Sequence, residues 1–431
     1  MSNILFAWEL GGNIGHLAKQ LMIARSLQQR GHCCSFAVRD VTTATTLFAA
    51  DNFEINQAPF YFDPAGESQL LTSYAEILSV NGFEPFEIFQ HLVEEWHALF
   101  DHTSPDVVIT EFSPIAVLAA KLHGKSVLRI DNGFGSPPDQ QPFPSFRPWL
   151  GISSEQVLAS EMKLLENINQ LCGHLRHSPF KSLQDMLSTE VDLLTTVPEL
   201  DHYPVRNAGM YVGPVFNLSD GIKVEWSQSD RSRIFVYLRD FDGLEFVLKT
   251  LNDPSLDVIA VLPGIDENLS VRYAGEFFQI FKEPVFLPDI MPQTDIAITN
   301  GGHGLASLFM LRGIPMIVIP QILEQLMTAN NIERLGIGIS VNHDQVLKSF
   351  AQALARFFID DSFREKAIKL SLKYADYDQN LVLENISDTI EGVMRRKYNT
   401  SLTFKNSWSL PYDCLPGGEA TLMKSVPTVL H

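Results

Sequence analysis

The sequence predicts an α/β protein made of two doubly wound, parallel-sheet domains. Short apolar runs alternate with segments of helical spacing in both halves of the chain, the pattern of repeated βαβ units. The length of 431 residues exceeds what one hydrophobic core usually fills, so two domains are expected. Each half also carries a glycine turn straight after an apolar run: Gly11-Gly12-Asn13-Ile14-Gly15-His16 in the first and Asn300-Gly301-Gly302-His303-Gly304 in the second.

In chain order, residues 4–8 form the first strand. A helix follows over residues 16–29, with Leu17, Leu21, Ala24 and Leu27 at helical spacing, and Gly31 stops it. Residues 35–38, 107–110 and 127–130 read as buried strands, the last two separated by a helix at 115–122. Residues 132–149 are rich in Pro, Gly and aromatics. They form a long loop, and long loops in compact domains often carry function. Helices at 155–175 and 181–187 precede strands at 193–196 and 210–212. Gly213-Pro214 then opens a polar stretch of weak periodicity, which marks the domain boundary. Residues 1–215 are therefore expected to form an N-terminal Rossmann-like domain and residues 216–399 a C-terminal one. Strands at 234–238, 258–262, 284–287, 296–299 and 316–319 build the second sheet, and helices at 345–358, 363–374 and 381–395 close it. Residues 400–431 read as an irregular C-terminal tail.

Composition narrows the function classes. A hydrophobic content of 45% and a charged content of 19% indicate a folded chain with a large core. The formal net charge of -19 disfavours nucleic acid and anionic membrane as partners. The apolar start lacks a basic segment and runs into a glycine turn, so it reads as a strand and not as a signal peptide. No apolar run reaches membrane-spanning length and no amphipathic anchor is visible, so no stable membrane anchor is expected. Cys33, Cys34, Cys172 and Cys414 are too few and too irregular for a disulfide framework, and no Cys/His spacing resembles a zinc site. Cys33 and Cys34 open an apolar run and read as buried thiols. The expectation is a reduced, cytoplasmic protein.

The richest stretch is residues 295–338, which reads as strand, glycine turn, helix, strand and polar loop. Gly301, Gly302 and Gly304 let the backbone approach a ligand, and a helix start offers unpaired amides and a positive dipole end. That combination suits a diphosphate. Glu324-Gln325 follows the next strand at the same edge of the sheet, where open α/β sheets bind ligands, and its side chains suit sugar hydroxyls. A nucleotide-sugar is the first ligand to consider. Glu324 and Gln325 also fit the bare role of a helix start, and His303 either faces phosphate or fills the start of its helix. Met310, Met316 and Met327 have core-like spacing.

The first glycine turn lacks the G-x-G-x-x-G spacing of a dinucleotide site, and its informative residue is His16. A histidine at a helix N-terminus is held neutral by the dipole, which is the state a general base needs. The competing reading is a histidine that only caps the helix. Glu111, just past the strand 107–110, falls near the end of the first strand and could orient the imidazole. Its competing reading is a solvated loop glutamate.

Together these residues resemble the UDP-glycosyltransferase-like superfamily of GT-B fold, which includes bacterial macrolide, natural-product and sterol glycosyltransferases. The matching stretches are Gly15-His16 through Arg30-Gly31-His32, Tyr211-Val212-Gly213-Pro214, Phe286-Leu287-Pro288, and Asn300-Gly301-Gly302 through Glu324-Gln325. The resemblance covers most of residues 4–342. It implies two Rossmann-like domains facing across a cleft, acceptor on the first and nucleotide-sugar on the second, and an inverting reaction without metal. It makes His16 the catalytic base and Glu111 its orienting acid, where the family usually has Asp. It puts Phe286 against the nucleotide base, Gly301, Gly302, His303 and Gly304 on the diphosphate, and Glu324 and Gln325 on the sugar hydroxyls. The chain departs from the family pattern in three places. Asn300 replaces a phosphate-binding histidine, and Leu308 replaces a ribose-binding glutamate. Tyr237-Leu238-Arg239-Asp240 replaces a Gly-Thr or Gly-Ser turn, and Arg239 could supply the missing phosphate contact.

The expected activity is that of a hexosyltransferase-class enzyme. It takes a nucleotide-diphosphate sugar, UDP-sugar foremost, as co-substrate with no cofactor and no metal, and a small-molecule or lipid hydroxyl as acceptor. The acceptor pocket would draw on residues 63–89 and 132–149, whose aromatic character suits hydrophobic partners. Two rival functions share the fold: a non-catalytic nucleotide-sugar-binding protein, motivated by the altered donor positions, and a sugar-nucleotide epimerase or hydrolase.

Overall fold

The structure is a computed structural model and describes residues 1–12, 14–61, 70–203, 206 and 209–396. Asn13, residues 63–69 of the first segment expected to line the acceptor pocket, and the tail 400–431 lie outside the described residues.

The first sheet has seven parallel strands: β1 (Asn3–Trp8), β2 (Cys33–Val38), β3 (Glu54–Gln57), β4 (Val107–Glu111), β5 (Ser126–Asp131), β6 (Val191–Leu194) and β7 (Met210–Tyr211). Their order is β3-β2-β1-β4-β5-β6-β7. Every residue of β4 is buried, as are Ile4 through Trp8 in β1. Central parallel strands covered by helices on both faces need such continuous apolar runs. The strand order reverses between β1 and β4. The connections leaving these two strands therefore run to opposite sides and open a crevice at their C-terminal ends.

The second sheet repeats the plan with β8 (Ser232–Tyr237), β9 (Leu256–Val261), β10 (Phe278–Phe281), β11 (Ile296–Thr299), β12 (Met316–Val318) and β13 (Gly338–Ser340), in the order β10-β9-β8-β11-β12-β13. Ile234, Val236, Val258, Ala260, Ile298 and Ile317 pack in one buried cluster with Leu248, Phe350 and Leu354. Here the reversal falls between β8 and β11, so this sheet has its own crevice beside Tyr237 and Thr299.

The two compact units are not contiguous in sequence. Thr196–His202 packs with the second unit, and the C-terminal helix Gln379–Arg396 passes to the first from residue 381. Ser26 and Ser387 hydroxyls lie 2.9 Å apart, and His32 Nε2 lies 3.1 Å from Glu391.

Two local expectations are corrected, and one helix is new. The strand expected at 284–287 is not part of the sheet, and β10 lies earlier, at Phe278–Phe281. Pro284 has no amide to donate, Val285 makes only an isolated bridge to Ile222, and Pro288 sits in the first turn of a short helix from Leu287 to Ile290. Cys33 is exposed and Cys34 half-buried, because they occupy the entry of β2 and not its covered centre. The helix Phe86–Thr103 was not anticipated, although Phe89, Leu92, Val93, Trp96 and Phe100 line its buried face at helical spacing.

Candidate functional site

In the first unit, the end of β1 and the end of β4 lie side by side, with Trp8 opposite Glu111 in the register. Gly11 turns the chain into the helix Ile14–Gln29, at a φ of +83° that favours glycine. A Cβ on Gly11 would stand 3.6 Å from Nε2 of His16. His16, in the first turn of that helix, stacks on Trp8 with ring centroids 5.6 Å apart. Its Nδ1 lies 2.6 Å from Oε1 of Glu111.

Glu111 is a buried strand-end residue, 2% exposed, and not a solvated loop residue. The turn after it is fixed by Phe112, whose φ of +43° is uncommon for a non-glycine residue. The Phe112 amide donates to Asp131 Oδ2 at 3.2 Å, and its carbonyl accepts from the Leu10 amide at 3.1 Å. The Glu111 carboxylate receives two more donors. Lys19 Nζ lies 2.8 Å from Oε1, and Gln20 Nε2 lies 3.1 Å from Oε2. Lys19 also donates to Thr195 Oγ1 at 3.0 Å. Burial alone would raise the Glu111 pKa, but the charges of Lys19 and His16 and their hydrogen bonds outweigh it and hold the carboxyl below its ordinary value. An ionised carboxylate only accepts, so Nδ1 of His16 carries a proton, and in the neutral imidazole Nε2 is then the basic nitrogen. Lys19 and Gln20 were missed from the sequence. Their spacing three and four residues after His16 puts all three on one helix face, and that was the available signal.

In the second unit, Thr299 ends β11 opposite Tyr237 of β8. The Thr299 hydroxyl accepts the Gly301 amide at 3.1 Å, and Asn300 Oδ1 accepts the Gly302 amide at 3.3 Å. Gly301 has a φ of +82°, and a Cβ there would meet Val318 Cγ1 at 2.6 Å and Gln325 O at 3.1 Å. Only glycine fits where the turn approaches the end of β12 and the start of the helix Leu323–Leu335 so closely. The helix His303–Leu311 then begins with no side-chain cap from Gly302, so its first amides remain available to a ligand, with Gly304 exposed in the opening turn.

The His303 ring is turned into the protein. It is 5% exposed, Nε2 lies 2.7 Å from Thr196 Oγ1, Nδ1 lies 3.5 Å from Ser307 Oγ, and the ring packs beside His202. Of the two readings of this residue, filling the helix start describes the side chain. Its partners Thr196 and His202 lie a hundred residues upstream, in a segment assigned by sequence to the other domain. Asn300 and Gln325 are buried. Gln325 Oε1 accepts the Gln321 amide at 2.9 Å, and Glu324 is half-buried beside it in the first turn of the helix Leu323–Leu335. Arg239 is exposed just past β8, on the strand next to β11. Phe286 is half-buried, its amide bonded to the Ile222 carbonyl at 2.8 Å and its ring 6.0 Å from Lys223 Nζ. Leu308 is 3% exposed and packs inside the second unit. Among the described residues no group of three or more His, Cys, Asp or Glu side chains could hold a metal ion, and no helix is long and apolar enough to cross a membrane.

Comparison with known proteins bears on both units. Residues 281–377, which include the glycine turn and Glu324-Gln325, match the family described as Erythromycin biosynthesis protein CIII-like, C-terminal domain. The chain is 22% identical over 353 residues to NDP-glycosyltransferase YjiC of Bacillus subtilis (strain 168), covering 78% of this chain and 84% of that protein. Among solved structures it is similar to CalG4, the calicheamicin glycosyltransferase, with a TM-score of 0.70 at 17% identity over 92% of this chain and 98% of that one. It is also similar to the spinosyn rhamnosyltransferase SpnG complexed with thymidine diphosphate, with a TM-score of 0.66 at 17% identity over 91% of this chain and 100% of that one. These structural likenesses carry the fold: two parallel-sheet α/β domains of GT-B type.

Proposed function

We propose that this chain, which belongs to the UDP-glycosyltransferase-like superfamily, is a glycosyltransferase that moves a sugar from a nucleoside-diphosphate sugar to an acceptor hydroxyl with inversion at the anomeric carbon. The observation that carries the reading is the His16–Glu111 pair at the reversal point of the first sheet, with Nε2 left as a base. The acceptor oxygen bonds to the anomeric carbon as the bond to the diphosphate oxygen breaks. The hydroxyl proton passes to Nε2 of His16, and the diphosphate leaves with the electron pair. Glu111 stabilises the imidazolium that forms.

The donor half of the reading rests on the glycine turn of the second sheet. The first amides of the helix His303–Leu311 and the Arg239 guanidinium would meet the growing charge on the diphosphate without a metal. Glu324 and Gln325 would bond the sugar hydroxyls, and Phe286 would stack on the base. Buried Leu308 offers no ribose hydrogen bond, so the reading admits both UDP- and dTDP-sugars. An apolar acceptor is favoured by Phe112, Phe134 and Phe146, whose rings follow one another at 5.4 and 5.7 Å beginning beside Gly11.

The test pairs the purified chain with UDP-, dTDP- and GDP-sugars and a panel of hydrophobic alcohols and phenols. Product configuration is read by NMR. An inverted glycoside formed only when acceptor is present supports the reading. Equal consumption of donor with and without acceptor, or a product of retained configuration, overturns it.

A further inference from the structure

Lys19 is an anomaly in this acidic protein: a lysine 6% exposed whose ammonium lies inside the base machinery. It touches the same carboxylate oxygen as His16, at 2.8 Å against 2.6 Å. The Lys19 ammonium also donates to the neutral Thr195 hydroxyl, at 3.0 Å. The Glu111 charge is therefore already compensated before the imidazole takes up any proton.

We propose that Lys19 is a positioning residue that sets the protonation state of His16: it supplies the cation that Glu111 requires, so that His16 need not. The inference rests on the reading of His16 as the general base. A buried carboxylate without a cation is costly, and the nearest group able to become one is the imidazole. With Lys19 in place, proton uptake by His16 would add a second positive charge beside one carboxylate. Without Lys19, the same uptake would neutralise an uncompensated one.

Among the described residues, the charged groups at the neighbouring strand ends have other partners or the wrong sign. Asp131, at the end of β5, is held above the ordinary carboxylate range by burial, partly offset by the charge of Lys19. Arg129 is bound to Asp192 at 3.1 Å. Glu9 is committed elsewhere, accepting from Trp96 Nε1 and from the Ile115 and Ala116 amides. The neighbouring ring of Trp8 carries no charge.

The experiment follows the His16 imidazole by 13C NMR in the full chain without ligands, the resonance being identified by its loss in His16→Ala. In Lys19→Met the His16 titration is expected to move up by about one pH unit or more. In Lys19→Arg, which keeps the charge, it is expected to stay near the wild-type value. The acid limb of kcat/KM should move with it, so that the Lys19→Met deficit at neutral pH, about tenfold or more, recovers as pH rises. A fold-only role for Lys19 predicts loss at every pH with the limb unmoved. Should Lys19→Met not fold, Glu111→Gln compared with Lys19→Met/Glu111→Gln reads the same charge with no unpaired carboxylate. The double variant should then titrate higher. An unmoved His16 titration in the folded comparison overturns the inference. Turnover that survives His16→Ala while the NMR shift persists would remove the catalytic reading and leave Lys19 in its role.

Discussion

Nδ1 of His16 and Oε1 of Glu111 meet at 2.6 Å across 95 residues of sequence. The sheet order produces this contact. β1 and β4 are neighbours, Glu111 is the last residue of β4, and the turn after β1 returns the chain into the helix that carries His16. Two short βα connections thereby make one acid–imidazole pair, and its tautomer follows from the carboxylate being an acceptor only.

Replacing Glu111 by Gln tests that tautomer. Glutamine keeps the shape but can turn an amide N–H toward Nδ1, which would favour the proton on Nε2, the atom that must be bare. A fall in kcat of about 10²–10⁴ is expected, the range of general-base assistance. Donor affinity measured by calorimetry should stay unchanged. Wild-type kcat in the Gln variant would remove Glu111 from the mechanism.

Gly301→Ala tests the glycine turn of the second unit. The new Cβ would meet Val318 Cγ1 at 2.6 Å, at a φ of +82° that alanine adopts poorly. A loss of about 1–3 kcal/mol in stability is expected from the strained backbone alone. Stabilisation of the variant by nucleoside-diphosphate sugar should vanish, since the turn must open to relieve the clash. A variant with wild-type melting and wild-type donor response would show that the close approach of Gly301 to Val318 and Gln325 is not needed.

How much of this could be read from sequence depended on whether the signal was local. Continuous apolar runs such as Ile4 through Trp8 and Ile296 through Thr299 appear as strands because both of their faces are covered. The turn glycines and His16 sit directly beside those runs and were legible with them. Edge elements were not. β10 lies at the sheet margin, and the Pro284 segment next to it looked more apolar than the true strand. The partners of His303 and the docking of the C-terminal helix depend on pairs 107 and 361 residues apart, which no local pattern encodes. Lys19 is intermediate. Its helix face was legible, but a buried lysine only makes sense once Glu111 is known to be buried too.

Arg239→Ala isolates the phosphate role assigned to the end of β8. The side chain is exposed, and among the described residues it makes no hydrogen bond or ion pair, so stability should change by no more than about 0.5 kcal/mol. Donor KM should rise several-fold, and the difference from wild type should shrink at high salt, as for any exposed charge. An unchanged donor KM at low ionic strength would leave the helix start as the sole assigned phosphate contact.

The buried carboxylate also has a consequence for acid stability. Burial raises the Glu111 pKa, and the charges of Lys19 and His16 with their hydrogen bonds more than reverse this, so the folded value lies below the ordinary 4.5. The unfolded chain then binds the proton first as pH falls. The stability supplied by Glu111 is full above 4.5 and is lost as pH drops through the depressed folded value. Lys19→Met/Glu111→Gln removes the carboxyl and its cation together, leaving no unpaired charge in the site. Its melting temperature should therefore fall less steeply than that of wild type between about pH 5 and pH 3. Parallel melting curves for the two proteins across that interval would mean that Glu111 keeps an ordinary affinity for its proton.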